Sequence, residues 1–224
     1  MISARDALDR LREGNRRFIA DNRNSDALAS HTRRREVADA QTPFAVILGC
    51  SDSRVPAEIV FDHGLGDLFV IRVAGNIVAP SQIGSVEFAA EHYHTRLVVV
   101  LGHSRCGAIL ATVEELGRGS KEQSRHLRSI VDRIRPSVQA FHGTPIGQDP
   151  EALVHHAVRA NIRMSANQLR HGSDILEQLI ENEGLLVVGA EYSLETGEVE
   201  FFDGVPEGTW EVPVLKHPDG TRGE

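Results

Sequence analysis

Three residues with the chemistry of metal ligands stand at equivalent places in the chain. Cys50 follows the apolar run Phe44-Ala-Val-Ile-Leu-Gly49, and His103 and Cys106 follow the run Arg96-Leu-Val-Val-Val-Leu-Gly102. Each run is short and continuous, as expected of a strand buried on both faces. In an open parallel sheet, the loops after the strand C-termini line the ligand crevice. If the two strands are neighbours, Cys50, His103 and Cys106 converge at one end of the sheet. Two thiolates and an imidazole suit zinc by softness. Three protein ligands with an open fourth position mark a catalytic zinc site rather than a structural one. Cys50 and Cys106 are the only cysteines, so a four-thiolate cage is excluded. The competing uses of the pair are one disulfide, which a reducing cytosol disfavours, or two inert core thiols. Cys106 opens a helical stretch, where backbone N–H groups and the helix dipole favour a thiolate. Gly49, Gly102 and Gly107 suit crowded backbone beside a metal.

Asp52 and Arg54 follow Cys50 closely in the segment Cys50-Ser-Asp-Ser-Arg54. They could be a surface ion pair, which stabilises little. Beside a metal ligand they read better as a functional dyad. The Asp52 carboxylate would accept a hydrogen bond from metal-bound water. Arg54 would keep that carboxylate ionised and oriented.

The elements that must position these residues alternate in type. Apolar runs at 44–49, 67–73, 96–102 and 185–190 read as strands. Helical stretches fall at 56–62, 81–94, 105–117, 121–141 and 150–182. Strands alternating with helices predict an α/β fold with a mainly parallel sheet and flanking helices. Thr196-Gly197 between alternating runs predicts a hairpin that adds an antiparallel edge strand at the C-terminal end. Residues 3–20 predict an amphipathic helix with Ser3 and Asp6 as a variant capping box, and a second helix falls within 25–40. The basic run Arg33-Arg34-Arg35 there reads as a solvated face. With no linker signal, one domain spans 1–224: a helical arm over about 1–40, an α/β core over about 41–205 and a polar tail over about 206–224.

The net charge of −8 argues against broad nucleic-acid binding, which needs a basic face. The N-terminal Met1-Ile-Ser-Ala-Arg-Asp-Ala-Leu-Asp-Arg10 lacks the apolar core of a secretory signal, and no apolar run could span a bilayer. The expectation is a cytoplasmic protein without membrane partners. A dinucleotide-binding domain is disfavoured, because no Gly-x-Gly-x-x-Gly follows the first strand.

Four stretches together resemble the β-carbonic anhydrases. They are Cys50-Ser-Asp-Ser-Arg-Val-Pro56, Gly64-Leu-Gly-Asp-Leu-Phe-Val-Ile-Arg-Val-Ala-Gly-Asn76, Gly84-Ser-Val-Glu-Phe88 and Gly102-His-Ser-Arg-Cys-Gly-Ala108. The resemblance covers about 41–117, with Gly189-Ala-Glu-Tyr192 and Thr196-Gly-Glu-Val199 similar to the family's last strands. It implies one zinc ion per subunit on Cys50, His103 and Cys106, and hydration of carbon dioxide to bicarbonate by zinc-bound hydroxide. Asp52 and Arg54 would orient the water, with Asp52 able to become a fourth ligand in a closed state. Gln41 would bind bicarbonate, Phe69 would wall the carbon dioxide pocket, and Gly107 would offer an N–H to the anion. Phe88 stands where the plant-type branch has a tyrosine, so it would contribute contact without a phenol. Ile47 stands where a bicarbonate-inhibited bacterial branch has a tryptophan. Arg72 matches that branch's anion-binding arginine, but the inhibitory site is expected to be incomplete. The family implies a homodimer or a dimer of dimers, embraced by the N-terminal helices. Two thiolates formally neutralise a divalent ion, so its water is acidified less and activity should rise toward alkaline pH. His92, His94, His155 and His156 titrate suitably for proton transfer but read first as ordinary exposed histidines. The alternatives are a carbon disulfide or carbonyl sulfide hydrolase on the same scaffold, or a non-catalytic zinc regulatory protein.

Overall fold

The computed structural model describes residues 2–23, 30–118 and 124–206. The expected polar tail therefore falls almost entirely outside the described residues. Among the described residues, five strands form one sheet: β1 (Ala45–Gly49), β2 (Leu68–Arg72), β3 (Leu97–His103), β4 (Leu186–Tyr192) and β5 (Val199–Asp203). Their spatial order is β2-β1-β3-β4-β5. The first four are parallel, and β5 pairs antiparallel with β4. The sheet is thus mainly parallel with an antiparallel edge, as the sequence predicts. All residues of β1 and β3 are buried, which is why both read as unbroken apolar runs.

The helices are α1 (Ala4–Ile19), α2 (His31–Glu36), α3 (Ala57–Val60), α4 (Pro80–His92), α5 (Gly107–Arg118), α6 (Arg125–Gln139), α7 (Pro145–Gln148), α8 (Pro150–His171) and α9 (Asp174–Glu183). Strand side chains alternate between two apolar cores. Val46, Leu48, Val98, Val100 and Val187 face the layer that includes α4, α5, α6, α8 and α9. Ala45, Ile47, Val99, Leu101 and Val188 face α1 and α3. Ala7, Leu8 and Leu11 of α1 are buried on this chain's own sheet. Ser3 caps α1 by accepting from the Asp6 N–H at 3.1 Å, and its hydroxyl donates to the Asp6 carboxylate at 2.7 Å. Asn15 joins distant segments: its Nδ2 donates to the carbonyls of Val60 and Gly197 at 3.1 and 2.9 Å, and its Oδ1 accepts from the Val199 N–H at 3.0 Å.

The stretch expected as one helix over 150–182 is two. Gly172-Ser173 interrupts it, with Ser173 Oγ accepting from the Leu176 N–H at 3.2 Å as the cap of α9. The same hydroxyl donates to Glu87 at 2.6 Å, tying α9 to α4. Among the described residues, no helix is long and apolar enough to cross a membrane.

Two topological facts place the candidate ligands. β1 and β3 are adjacent, with Gly49 opposite Leu101. The connection after β1 leads to β2 on one side, and the connection after β3 leads to β4 on the other. Loops that diverge in this way open a crevice at the C-terminal edge of the sheet.

Candidate metal centre

Cys50 leaves β1, His103 is the last residue of β3, and Cys106 directly precedes α5. Their ligand atoms all lie within 4.8 Å of one another, and all three residues are buried. His103 Nδ1 lies 2.9 Å from the Ser104 carbonyl. The carbonyl can only accept, so Nδ1 carries the proton and Nε2 presents a bare lone pair. That buried Nε2 has no hydrogen-bond partner among the described residues. An orphaned imidazole nitrogen beside two thiols is a poor core arrangement and a good ligand set.

The thiols do not ionise independently. A hydrogen bond with Cys106, followed in strength by burial acting the other way and by His103, draws Cys50 well below the ordinary thiol range. The same pairing, with burial, pushes Cys106 up. The N–H groups of Ala108 and Ile109 at the start of α5 favour charge on Cys106, against that pairing and its burial. A divalent cation would let both thiols ionise.

Asp52 and Arg54 form a two-pronged pair. Arg54 Nε donates to Asp52 Oδ1 at 2.9 Å and Arg54 Nη2 to Oδ2 at 2.7 Å, while the Arg54 N–H adds a bond to Oδ1 at 3.0 Å. These bonds, the guanidinium first, hold the Asp52 carboxyl well below the usual carboxylate range. Asp52 Oδ2 lies 3.8 Å from His103 Nε2, at the mouth of the ligand triangle rather than within it. Arg72 donates to the carbonyls of Cys50 and Asp52 at 3.0 and 2.6 Å, so its guanidinium braces the first ligand loop. Ile47 is fully buried in the core.

Of the three glycines expected in crowded backbone, only Gly102 is confined. A Cβ there would fall 2.5 Å from Ile162 Cδ1, whereas Gly49 and Gly107 have room. Gly107 opens α5 with nothing within 4 Å of the place a side chain would take. A glycine not singled out from sequence matters more. Gly75 has a φ of +71°, and its N–H donates to Cys50 Sγ at 3.3 Å.

Gln41, Phe69 and Phe88 gather elsewhere. Gln41 Nε2 donates to the Tyr93 hydroxyl at 2.9 Å. The Phe69 ring lies 6.2 Å from Phe88 and 6.0 Å from Tyr93. Phe69 pairs with Val46, the second residue of β1, and at about 3.3 Å per residue the strand carries Cys50 roughly 13 Å from that position. The aromatic group thus sits toward the N-terminal edge of the sheet and the cysteines at the C-terminal edge. His92 stacks on Phe88 in that group, and His94 follows Tyr93. His155, by contrast, lines a cleft with Ser104, Arg159 and Glu191, and His156 touches Phe141. Tyr93 and Arg72 had no role predicted that matches these contacts.

The chain is similar to known proteins in both sequence and fold. The sequence profile described as carbonic anhydrase matches residues 45–199. The chain is 37% identical over 190 residues to a carbonic anhydrase of Mycolicibacterium smegmatis, covering 85% of this chain and 89% of that protein. It is 35% identical over 195 residues to carbonic anhydrase 2 of Mycobacterium tuberculosis, covering 87% and 91%. Among solved structures, the β-carbonic anhydrase CcaA superposes with a TM-score of 0.67 at 26% identity, over 88% of this chain and 95% of that one. A tetrameric β-carbonic anhydrase of Sordaria macrospora shares the fold with a TM-score of 0.66 at 23% identity, over 75% and 84%. The profile spans more than half of the chain, and both relatives align along most of their own length. On these grounds the chain belongs to the β-carbonic anhydrase family of lyases.

Proposed function

We propose that this protein catalyses the reversible hydration of carbon dioxide with zinc held by Cys50, His103 and Cys106. The observation that carries the reading is the buried, unpartnered Nε2 of His103 facing two paired thiols. A zinc ion there would supply a Lewis acid that activates water for attack on carbon dioxide.

The chain's own groups prepare the rest. The Ser104 carbonyl holds the His103 tautomer that leaves Nε2 free. Arg54 keeps Asp52 ionised, with its carboxylate beside the ligand triangle as a hydrogen-bond acceptor. An acceptor in that place would take a hydrogen bond from the reacting water and so aim its lone pair at the substrate. The intact Asp52–Arg54 pair supports the open form of the site, with Asp52 outside the ligand set. The N–H at the start of α5, at Gly107, would steady the product anion.

Gln41, Phe69 and Phe88 are too far from Cys50 along the same sheet to serve this chain's own site. We infer that a second copy supplies them, its aromatic group laid over the cysteine end of this one, in a homodimer or a dimer of dimers. Phe88 is about half exposed, as a group awaiting a partner would be.

Stopped-flow measurement of carbon dioxide hydration tests the reading at neutral and alkaline pH. Zinc-loaded protein should accelerate hydration, more so at alkaline pH, and lose that activity on chelation. Fully zinc-loaded protein with no hydration at either pH would overturn it, and turnover of carbon disulfide or carbonyl sulfide instead would identify a hydrolase.

A further inference from the structure

The buried face of α8 is apolar at Ala157, Val158, Ile162, Ala166 and Leu169. Asn161 interrupts it and is only 1% exposed. A buried amide carries a desolvation cost that its hydrogen bonds must offset. Here Asn161 Nδ2 donates to the Gly75 carbonyl at 2.8 Å, while Oδ1 has no partner among the described residues. A carbonyl only accepts, so the amide orientation follows from this contact. One end of the side chain is thus engaged, and its single partner is the residue whose N–H meets Cys50.

We propose that Asn161 is a positioning residue of the metal centre: it holds the Gly75 turn so that the Gly75 N–H stays aimed at the Cys50 sulfur. The inference rests on the proposed metal site. The turn it holds is left-handed: Gly75 and Asn76 have φ of +71° and +43°. The turn is also confined on two sides. A Cβ at Gly75 would lie 2.7 Å from Ile134 Cδ1 on α6 and 3.1 Å from Ala108 Cβ on α5. Asn161 secures it from a third side, on α8. The resulting chain of contacts runs from the Asn161 amide to the Gly75 carbonyl, and from the Gly75 N–H to Cys50 Sγ at 3.3 Å. An N–H aimed at a metal-binding thiolate lowers the cost of its charge and fixes its direction.

The test uses Asn161→Leu, an apolar side chain of similar size, and Asn161→Ala, which is smaller and cannot clash. Zinc affinity is measured by competition with a chromophoric chelator, the sulfur-to-metal absorption band is recorded with cobalt(II), and melting is followed with and without metal. The expected result is zinc affinity weakened about ten- to a hundredfold in both variants, with a shifted cobalt band. The gap between metal-loaded and metal-free melting temperatures should narrow. If one variant does not fold, the other reads the same quantities. Wild-type affinity and cobalt spectrum in a folded variant would overturn the inference. So would an equal fall of both melting temperatures with the gap preserved, since that marks a purely structural role. Wild-type protein that takes up neither zinc nor cobalt would refute the metal site itself, and this inference with it.

Discussion

Replacing Gly102 with alanine adds one methyl group immediately before a candidate ligand. That methyl would fall 2.5 and 2.6 Å from Cδ1 and Cγ1 of Ile162, far inside van der Waals contact. Ile162 has little room to yield, because its Cγ2 is already seated against Gly189 of the neighbouring strand, so close that a Cβ there would lie 2.8 Å away. The two glycines form a socket in which the isoleucine of α8 sits. Overpacking of this kind costs about 1–3 kcal/mol. At roughly 2–4 °C per kcal/mol for a chain of this size, the melting temperature should fall by roughly 2–12 °C. Removing the isoleucine alone, as Ile162→Ala, should cost about 2–5 kcal/mol through the cavity it leaves. In the double variant the added methyl enters that cavity. The penalty of Gly102→Ala should therefore vanish or change sign. Equilibrium urea unfolding of the four proteins, followed by circular dichroism, closes the cycle. Additivity of the two substitutions within about 0.5 kcal/mol would refute the socket, because contacting residues must couple. Because His103 is the next residue, zinc affinity should fall in Gly102→Ala and recover in the double variant.

Arg54→Lys replaces a two-pronged guanidinium with a point charge; hydration should slow about ten- to a hundredfold while the melting temperature hardly moves, and an unchanged rate would refute the orienting role. The folded Asp52 carboxyl titrates below its ordinary range, so the pair's contribution is in place above that range and is lost only as pH falls through the lowered value. Arg54→Ala should accordingly move the acid limb of the pH–rate profile upward, and a limb that stays in place would show that another group sets it. Chelation should abolish hydration and lower the melting temperature, with zinc restoring both and magnesium neither, since thiolates and imidazole prefer the softer ion. Mixing inactive Cys50→Ser chains with impaired Gln41→Ala chains should raise activity above that of either parent, because one hybrid site then carries both native residues; no gain on mixing would argue against a shared pocket.

The ligand set was legible because two strands buried on both faces print themselves as unbroken apolar runs, and Cys50, His103 and Cys106 stand directly behind them. The parallel sheet followed from the same runs and their helical spacers. Other features were hidden for stated reasons. Asn161 lies on a helix face that pattern alone assigns to the core, and its partner Gly75 is 86 residues away. The separation of Gln41 and Phe69 from the cysteines depends on strand register, to which motif spacing is blind. The break between α8 and α9 had a local signal in Gly172-Ser173, but helical pattern on both sides obscured it.

Asn15 binds the peptide groups of Gly197 and Val199, near the opposite end of the chain. This gives the molecule a timetable. A chain emerging from the ribosome makes α1 well before β5, and the partners of Asn15 are synthesised about 180 residues later, at a pace of roughly 5–20 residues per second. For that interval, on the order of ten to forty seconds, Leu8 and Leu11 lack the finished sheet face that finally covers them. Truncation before Val199 would make the delay permanent. A nascent chain stalled there should recruit chaperones that bind apolar segments, and release of the last strand should end the association.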